Sequence, residues 1–462
     1  MQEPFFLPSW PPSVENFFWY GALLLSAGIA GELVERWTRQ PRMMGWVLAG
    51  ILLGPHVTGA IDVSALAGMS SLIHLAMGVL LFELGQRVDL SWLRSNPKLL
   101  GTSALESGLA FALMFLVIQL FGKPPLVAAV AAAIGVSTSP AVVLAITQDQ
   151  RAQGQVTERL LLLTALNSIY AYITVNILIA PLATEYRGDL VTILGHPAYL
   201  VFGSLAFAAI MARSTLEILR LLGRREETQF LAIIAMLIVA VWISIALRLS
   251  VPLALLGFGT MMRTFDRGRH FVWLNFGRLG RIFLILLFSS TAAYLDFTFV
   301  PAGIGIGLAI VVARFVGKTA GVFALARPSG LPYRKAWFLS LGLMPKSALA
   351  IILVNQTAML YPEFRPLMAT VMMSAILILE FAAAPIMQLA LIYSKEAFEE
   401  GKNWCRRSLN SRNRKCSAWV SSSSCSLSTP GTTISRPPPR TCWPSSRRRL
   451  TPAISNPRLP RV

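Results

Sequence analysis

Ionisable side chains are scarce in this sequence: only 14% of its 462 residues are Asp, Glu, Lys or Arg, against about 25% in soluble domains. A large soluble enzyme core needs charged helix faces and charged turns, so the composition excludes that class. Cysteine is missing from the first 404 residues, because Cys405, Cys416, Cys425 and Cys442 all lie beyond them. Disulfides, thiolate metal sites and cysteine nucleophiles are therefore excluded from the body of the chain. Acids are missing from residues 401–462, which hold thirteen Lys or Arg and no Asp or Glu. The formal charge of +19 thus belongs mostly to that end, since the remainder has 28 basic against 22 acidic residues. His56, His74, His196 and His270 have no metal-ligand spacing. No Walker loop, dinucleotide fingerprint, metalloprotease motif or nucleophile elbow is present in the body. The reading is of a protein that is not an enzyme and has no cofactor, resident metal or nucleic-acid partner.

What the sequence does have is length in its apolar runs. They recur from about residue 16 to 394, and 55% of the chain is hydrophobic. Such runs define a polytopic helical membrane protein whose partner is the lipid bilayer. Thirteen spans are expected. Six lie near 16–36, 43–59, 66–86, 99–121, 125–147 and 160–182, one near 195–219, and six near 229–248, 250–263, 271–293, 302–326, 337–355 and 367–394. Residues 1–15 form a short segment before the first span, which reads as retained rather than cleaved because no basic n-region precedes it.

Loop charge sets the orientation. Alternate loops carry sixteen basic residues (from Arg36, Arg39 and Arg42 through Arg327, Arg334 and Lys335), and the opposite loops carry four, Lys123, Arg187, Arg248 and Arg365. The positive-inside bias places the N-terminus outside and the C-terminus in the cytoplasm. Thirteen spans divide as six, one and six, and the odd linker inverts the second six relative to the first. The fold expected is all-α, with an inverted repeat that pairs the fifth span with the twelfth and the fourth with the eleventh. Both members of the first pair are interrupted, by Gly135-Val136-Ser137-Thr138-Ser139-Pro140 and by Gly342-Leu343-Met344-Pro345-Lys346-Ser347. Matched Gly/Pro interruptions point to broken, crossing helices around a midplane site. Residues 395–462 form a basic cytoplasmic tail. From about Asn403 it is read either as disordered or as the product of a shifted reading frame.

Several segments together resemble the monovalent cation–proton antiporter superfamily, especially its Kef-type and bacterial sodium–proton exchanger branches. They are Gly45-Trp46-Val47-Leu48-Ala49-Gly50-Ile51-Leu52-Leu53-Gly54-Pro55, Leu80-Leu81-Phe82-Glu83-Leu84-Gly85, Ala313-Arg314-Phe315-Val316-Gly317-Lys318, Pro345 to Ala350, and Glu380 ahead of Pro385. The resemblance runs from about Arg42 to Tyr393. It implies exchange of Na⁺ or K⁺ for H⁺ by alternating access, in a homodimer in a bacterial inner membrane. It also places the ion-binding helix at Thr164-Ala165-Leu166-Asn167-Ser168, where the family has two aspartates or an asparagine–aspartate pair.

Asn167 and Ser168 stand where those carboxylates are expected. Both offer oxygen ligands, as does Thr138 with the freed carbonyls around Ser139, but neither titrates near neutral pH. Glu106, in the span that pairs with that of Lys318, ranks first as a substitute acid, ahead of Glu83 and Glu380, and a purely structural role is the alternative reading for each of the three. Arg314 and Lys318 are four apart on one helical face. For Arg314 the sequence leaves two readings open, a site residue or an anchor to a carbonyl or to Glu106. Lys318 either faces the site or snorkels to the cytoplasmic surface. Without the acids, Arg314, Lys318 and Lys346 leave the cavity cationic. The alternatives to antiport are therefore a transport-dead or regulatory homologue and an anion-binding variant of the same fold.

Overall fold

The computed structural model describes residues 16–88, 90–179, 195–196, 198–223, 225–266, 277–295, 300–346 and 365–397, with 297, 350 and 354. Of the expected tail only residues 395–397 are described, and the N-terminal segment 1–15 lies outside the described residues. Among these residues the regular structure is entirely helical. In chain order the elements are α1 (Asn16–Thr38), α2 (Arg42–Leu53), the short α3 (Val63–Gly68), α4 (Ser70–Arg87), the short α5 (Leu90–Ser95) and α6 (Pro97–Leu120). Next come α7 (Pro125–Val136), α8 (Pro140–Asp149), α9 (Gln155–Ile179), and a π-helical turn (Tyr199–Gly203) leading into α10 (Ser204–Leu222). The chain continues through α11 (Glu226–Ala246), α12 (Val251–Phe265), α13 (Gly277–Ala293), α14 (Val300–Ala324), α15 (Tyr333–Gly342) and α16 (Arg365–Tyr393).

Proline marks many of the starts. Pro97, Pro125, Pro140 and Pro252 occupy the first or second position of α6, α7, α8 and α12, where a helix has no use for the missing N–H. Among the described residues, seven stretches are long and apolar enough to cross a bilayer, counting α7 with α8 as one, and three shorter apolar helices accompany them. This is an integral membrane protein. Among the boundaries that differ from expectation, the second span stops at Leu53 rather than 59, because Gly54-Pro55 ends it, and the helix of the sixth begins at Gln155.

The helices pack in two groups. In one, α6, α7, α8, α9, α14, α15 and α16 enclose the interruptions. The other is built from α1, α2, α4, α10, α11, α12 and α13. The groups meet chiefly where α8 and α9 touch α4, α12 and α13. At one such junction Gln148 Nε2, near the end of α8, donates to Glu83 Oε1 on α4 at 2.6 Å.

Within the first group, α6 and α14 are held together by glycine. Gly317 and Gly321 are four residues apart on α14, and a Cβ on either would run into the backbone of α6, at Ala110 and Glu106 respectively. In hydrocarbon no hydrophobic force draws helices together, so close backbone contact at small residues does that work. The same contact brings Lys318, next to Gly317, over α6.

The last described residues belong to the body. Glu396, buried at the end of α16, accepts from the backbone N–H groups of Val156 and Thr157 at 3.0 and 2.9 Å, and from Lys335 Nζ at 3.1 Å. It caps the N-terminus of α9, a favourable place for an anion. Burial pushes its carboxyl up, but these donors and the Thr157 hydroxyl more than offset that and hold it below the ordinary glutamate range. The compact unit therefore extends to Ala397, slightly past the boundary at 394 drawn from sequence.

Substituting Gly321 by Val is expected to destabilise the protein by about 1–3 kcal/mol through overpacking. Gly305→Ala, where a Cβ meets nothing within 4 Å, is expected to be neutral or mildly stabilising. Thermal unfolding in detergent distinguishes the two; equal effects would show that the α6–α14 contact is not the tight one.

Candidate ion site at the crossing of two interrupted helices

The interruption in the fifth span follows from backbone accounting. Helix α7 stops at Val136 and α8 resumes at Pro140. Pro140 has no N–H to offer the Val136 carbonyl, and the Ser139 N–H, which a continuous helix would give to Gly135, goes instead to the Pro345 carbonyl at 2.9 Å. Ser139 Oγ accepts from Val142 N at 3.2 Å and caps the start of α8. Freed carbonyls in a membrane interior need new donors.

Two cations supply them. Arg314, completely buried, donates from Nη1 to the Gly135 carbonyl and to that of Val136 at 3.2 Å. Its Nη2 reaches the Leu343 carbonyl at 3.0 Å and Thr138 Oγ1 at 3.4 Å. Lys346 Nζ donates to the Ile134 carbonyl at 2.6 Å. Cationic side chains thus cover three consecutive carbonyls at the negative end of α7 and one past the end of α15. Between the readings left open for Arg314, the geometry is that of a carbonyl anchor. Residues 347–349, which follow Lys346 in the expected twelfth span, lie outside the described residues.

The two interruptions touch. Besides the Ser139–Pro345 bond, Thr138 Oγ1 donates to the Leu343 carbonyl at 3.2 Å. From α9, Asn167 Nδ2 donates to Thr138 Oγ1 at 3.3 Å, and Asn167 Oδ1 accepts from Ser107 Oγ on α6 at 2.8 Å. Asn167 therefore links α6 to the crossing with both ends of its amide. Ser168 does not join this network: its hydroxyl donates to the Thr164 carbonyl of its own helix at 2.9 Å. Ser107 was not singled out from sequence, although a second polar residue beside Glu106 in an apolar helix was a usable signal.

One ion pair is sealed in this group. Lys318 Nζ lies 2.7 Å from Glu106 Oε2, and both side chains are 0% exposed. Lys318 does not snorkel. Glu106 Oε1 has no hydrogen-bond partner among the described residues, so half of the carboxylate is uncommitted. Glu83 lies elsewhere, between Gln148 and Arg87. The crossing thus assembles Thr138, Ser139, Asn167, Arg314 and Lys346, and α14 links it to Glu106 and Lys318.

A family model described as the transmembrane sodium/hydrogen exchanger matches residues 21–388. The chain belongs to the sodium/hydrogen exchanger family. A stretch of 82 residues is 37% identical to the Na(+)/H(+)-K(+) antiporter GerN of Bacillus cereus, covering 18% of this chain and 20% of that relative. The chain is thus matched to only about a fifth of that protein. Two structures of the sodium proton antiporter MjNhaP1 from Methanocaldococcus jannaschii share the fold. One, at pH 8, superposes with a TM-score of 0.58 at 14% identity over 82% of this chain and 96% of the other. The second gives 0.60 at 13% identity, over 82% and 92%. As a member of the exchanger family, the chain has a transporter fold rather than an enzyme fold.

Removing the anchor at the crossing has a larger expected cost than removing the hydroxyl beside Asn167. Arg314→Ala removes the donor to the Gly135 and Val136 carbonyls and should cost several kcal/mol (about 1–3 per group). Ser168→Ala, which deletes only a bond back to its own helix, should cost less than about 1 kcal/mol. Unfolding yields of the two variants in the same detergent check the order.

Proposed function

We propose that the protein is a monovalent cation–proton antiporter, exchanging Na⁺ or K⁺ for H⁺ by alternating access. The Glu106–Lys318 pair is its titrating element. Asn167-Ser168 replaces the acidic pair that the resemblance leads one to expect in the ion-binding helix. The observation that carries the reading is the buried 2.7 Å contact of Glu106 with Lys318, one carboxylate oxygen left uncommitted. An exchanger needs one group that holds either a proton or the ion. In this pair a cation arriving at Glu106 displaces the ammonium, and Lys318, no longer neutralised in a buried site, gives up a proton. The two events are alternatives, which is the logic of exchange. Asn167 and Thr138 contribute neutral oxygens beside α6, and Ser168 has a minor part.

The rest of the reading fits around this step. Thirteen spans in an inverted repeat are supported by the meeting of the fifth- and twelfth-span interruptions and by the glycine packing of α6 on α14, the fourth- and eleventh-span helices. The group carrying the interruptions is the moving core. The other group is the scaffold and the seat of a homodimer. The short match to a Na(+)/H(+)-K(+) antiporter supports placement near the Kef-type and bacterial exchanger branches. An external N-terminus, a cytoplasmic C-terminus and a bacterial inner membrane complete it, together with a basic tail after the body. The anion-binding alternative loses support, because Arg314 and Lys346 are committed to carbonyls and Lys318 to Glu106.

Proteoliposomes with an imposed pH gradient and a pH-sensitive dye test this directly. Na⁺ or K⁺ should dissipate the gradient with native protein, Cl⁻ alone should not, and Glu106→Gln should lower the rate at least about tenfold, equivalent to 1.4 kcal/mol in the barrier. Ser168→Ala should stay within about twofold of native. No exchange by native protein with either cation would establish the transport-dead alternative.

A further inference from the structure

Among the described residues, Glu380 is the other acid buried in the helices of the core, and nothing in the exchange step uses it. It stands near the middle of the Pro366–Tyr393 span, the depth at which a charge is most costly. Its side chain is buried, and Oε2 has no hydrogen-bond partner among the described residues. The flanking positions Leu379 and Ala383 pack with Met344, Val311 and Phe315, an apolar cluster of its own.

The cations that might neutralise it are already engaged. Helix α16 packs against α14, α15, α7, α8 and α2. From α14, Arg314 is bound to the helix-end carbonyls and Lys318 to Glu106. Lys346, just past α15, is bound to the Ile134 carbonyl. The remaining charged groups of these elements are at helix ends: Arg334 and Lys335 at the start of α15, Asp149 at the end of α8 and Arg42 at the start of α2. Helix α7 has none, and residues 347–364, between Lys346 and α16, contain no Lys, Arg or His. An ionised carboxylate in these surroundings would be an uncompensated buried charge, a far costlier species than the neutral acid.

We propose that Glu380 is a second proton-binding site, loaded with a proton in the conformation described here and separate from the Glu106–Lys318 pair. It takes H⁺, because no donor among the described residues meets Glu380 Oε2 to hold an ionised carboxylate. Its proton leaves only when α16 moves enough to admit water. Met344 at the edge of the crossing packs with Leu379, which ties such movement to the ion site.

Infrared spectroscopy of the native protein reads this without a transport assay. A protonated carboxyl gives a C=O stretching band apart from the carboxylate bands, and that band shifts when H₂O is replaced by D₂O. We expect the band near neutral pH, its loss in Glu380→Gln, its displacement in Glu380→Asp and its retention in Glu106→Gln. The Asp variant and the pH titration of native protein suffice if the Gln variant fails to fold. A band unaltered by either substitution at Glu380, with loss of a carboxylate band instead, would overturn the proposal. Because the readout is protonation and not transport, it succeeds or fails independently of the exchange step.

Discussion

The helix-end carbonyls freed at the centre of a membrane protein are the constraint on which the rest of this structure depends. Once Pro140 interrupts the fifth span, the carbonyls of Gly135 and Val136 lose their helical donors at buried positions. Arg314 and Lys346 answer that need, and answering it fixes the position of α14 against α7 and of the second interruption against the first. The Ser139–Pro345 and Thr138–Leu343 bonds follow from the same arrangement. Buried positive charge here is therefore first a structural device. Two of the three buried cations are thereby committed to carbonyls.

Against that background the Glu106–Lys318 pair stands out. Lys318 is one turn from Arg314 on α14, yet its partner is a carboxylate rather than a carbonyl. Two opposite charges in a dry interior persist only with close geometry, and removing either leaves the other uncompensated. Such a pair is stable but responsive, since any event that neutralises one member alters the protonation of the other. Gly317 and Gly321 bring the two helices close enough for the contact to form. Fold and chemistry meet at a pair of missing side chains.

Much of this was legible in the sequence, for identifiable reasons. The apolar runs and the matched Gly/Pro interruptions are local patterns, and local patterns show without a structure. Counting alone put Lys318 and Glu106 in spans expected to pair, and the two side chains meet. What did not show were the long-range bonds from side chains to backbone. Nothing in the sequence near Arg314 indicates Gly135 or Leu343 as its partners. The cap that Glu396 makes on α9 joins residues 240 positions apart, and its carboxylate looked like part of a charged terminal segment. Ser168 was the opposite case: its place beside Asn167 suggested a ligand, but a serine inside a helix commonly bonds back one turn, and this one does so with Thr164.

The central claim is that a cation and a proton compete at the Glu106–Lys318 pair. Protons released on adding Na⁺ or K⁺ to purified, weakly buffered protein measure that competition without a membrane. The account predicts release by native protein, near-native release by Asn167→Ala, and none by Glu106→Gln. Undiminished release from Glu106→Gln would contradict it and place the titrating group elsewhere in the chain.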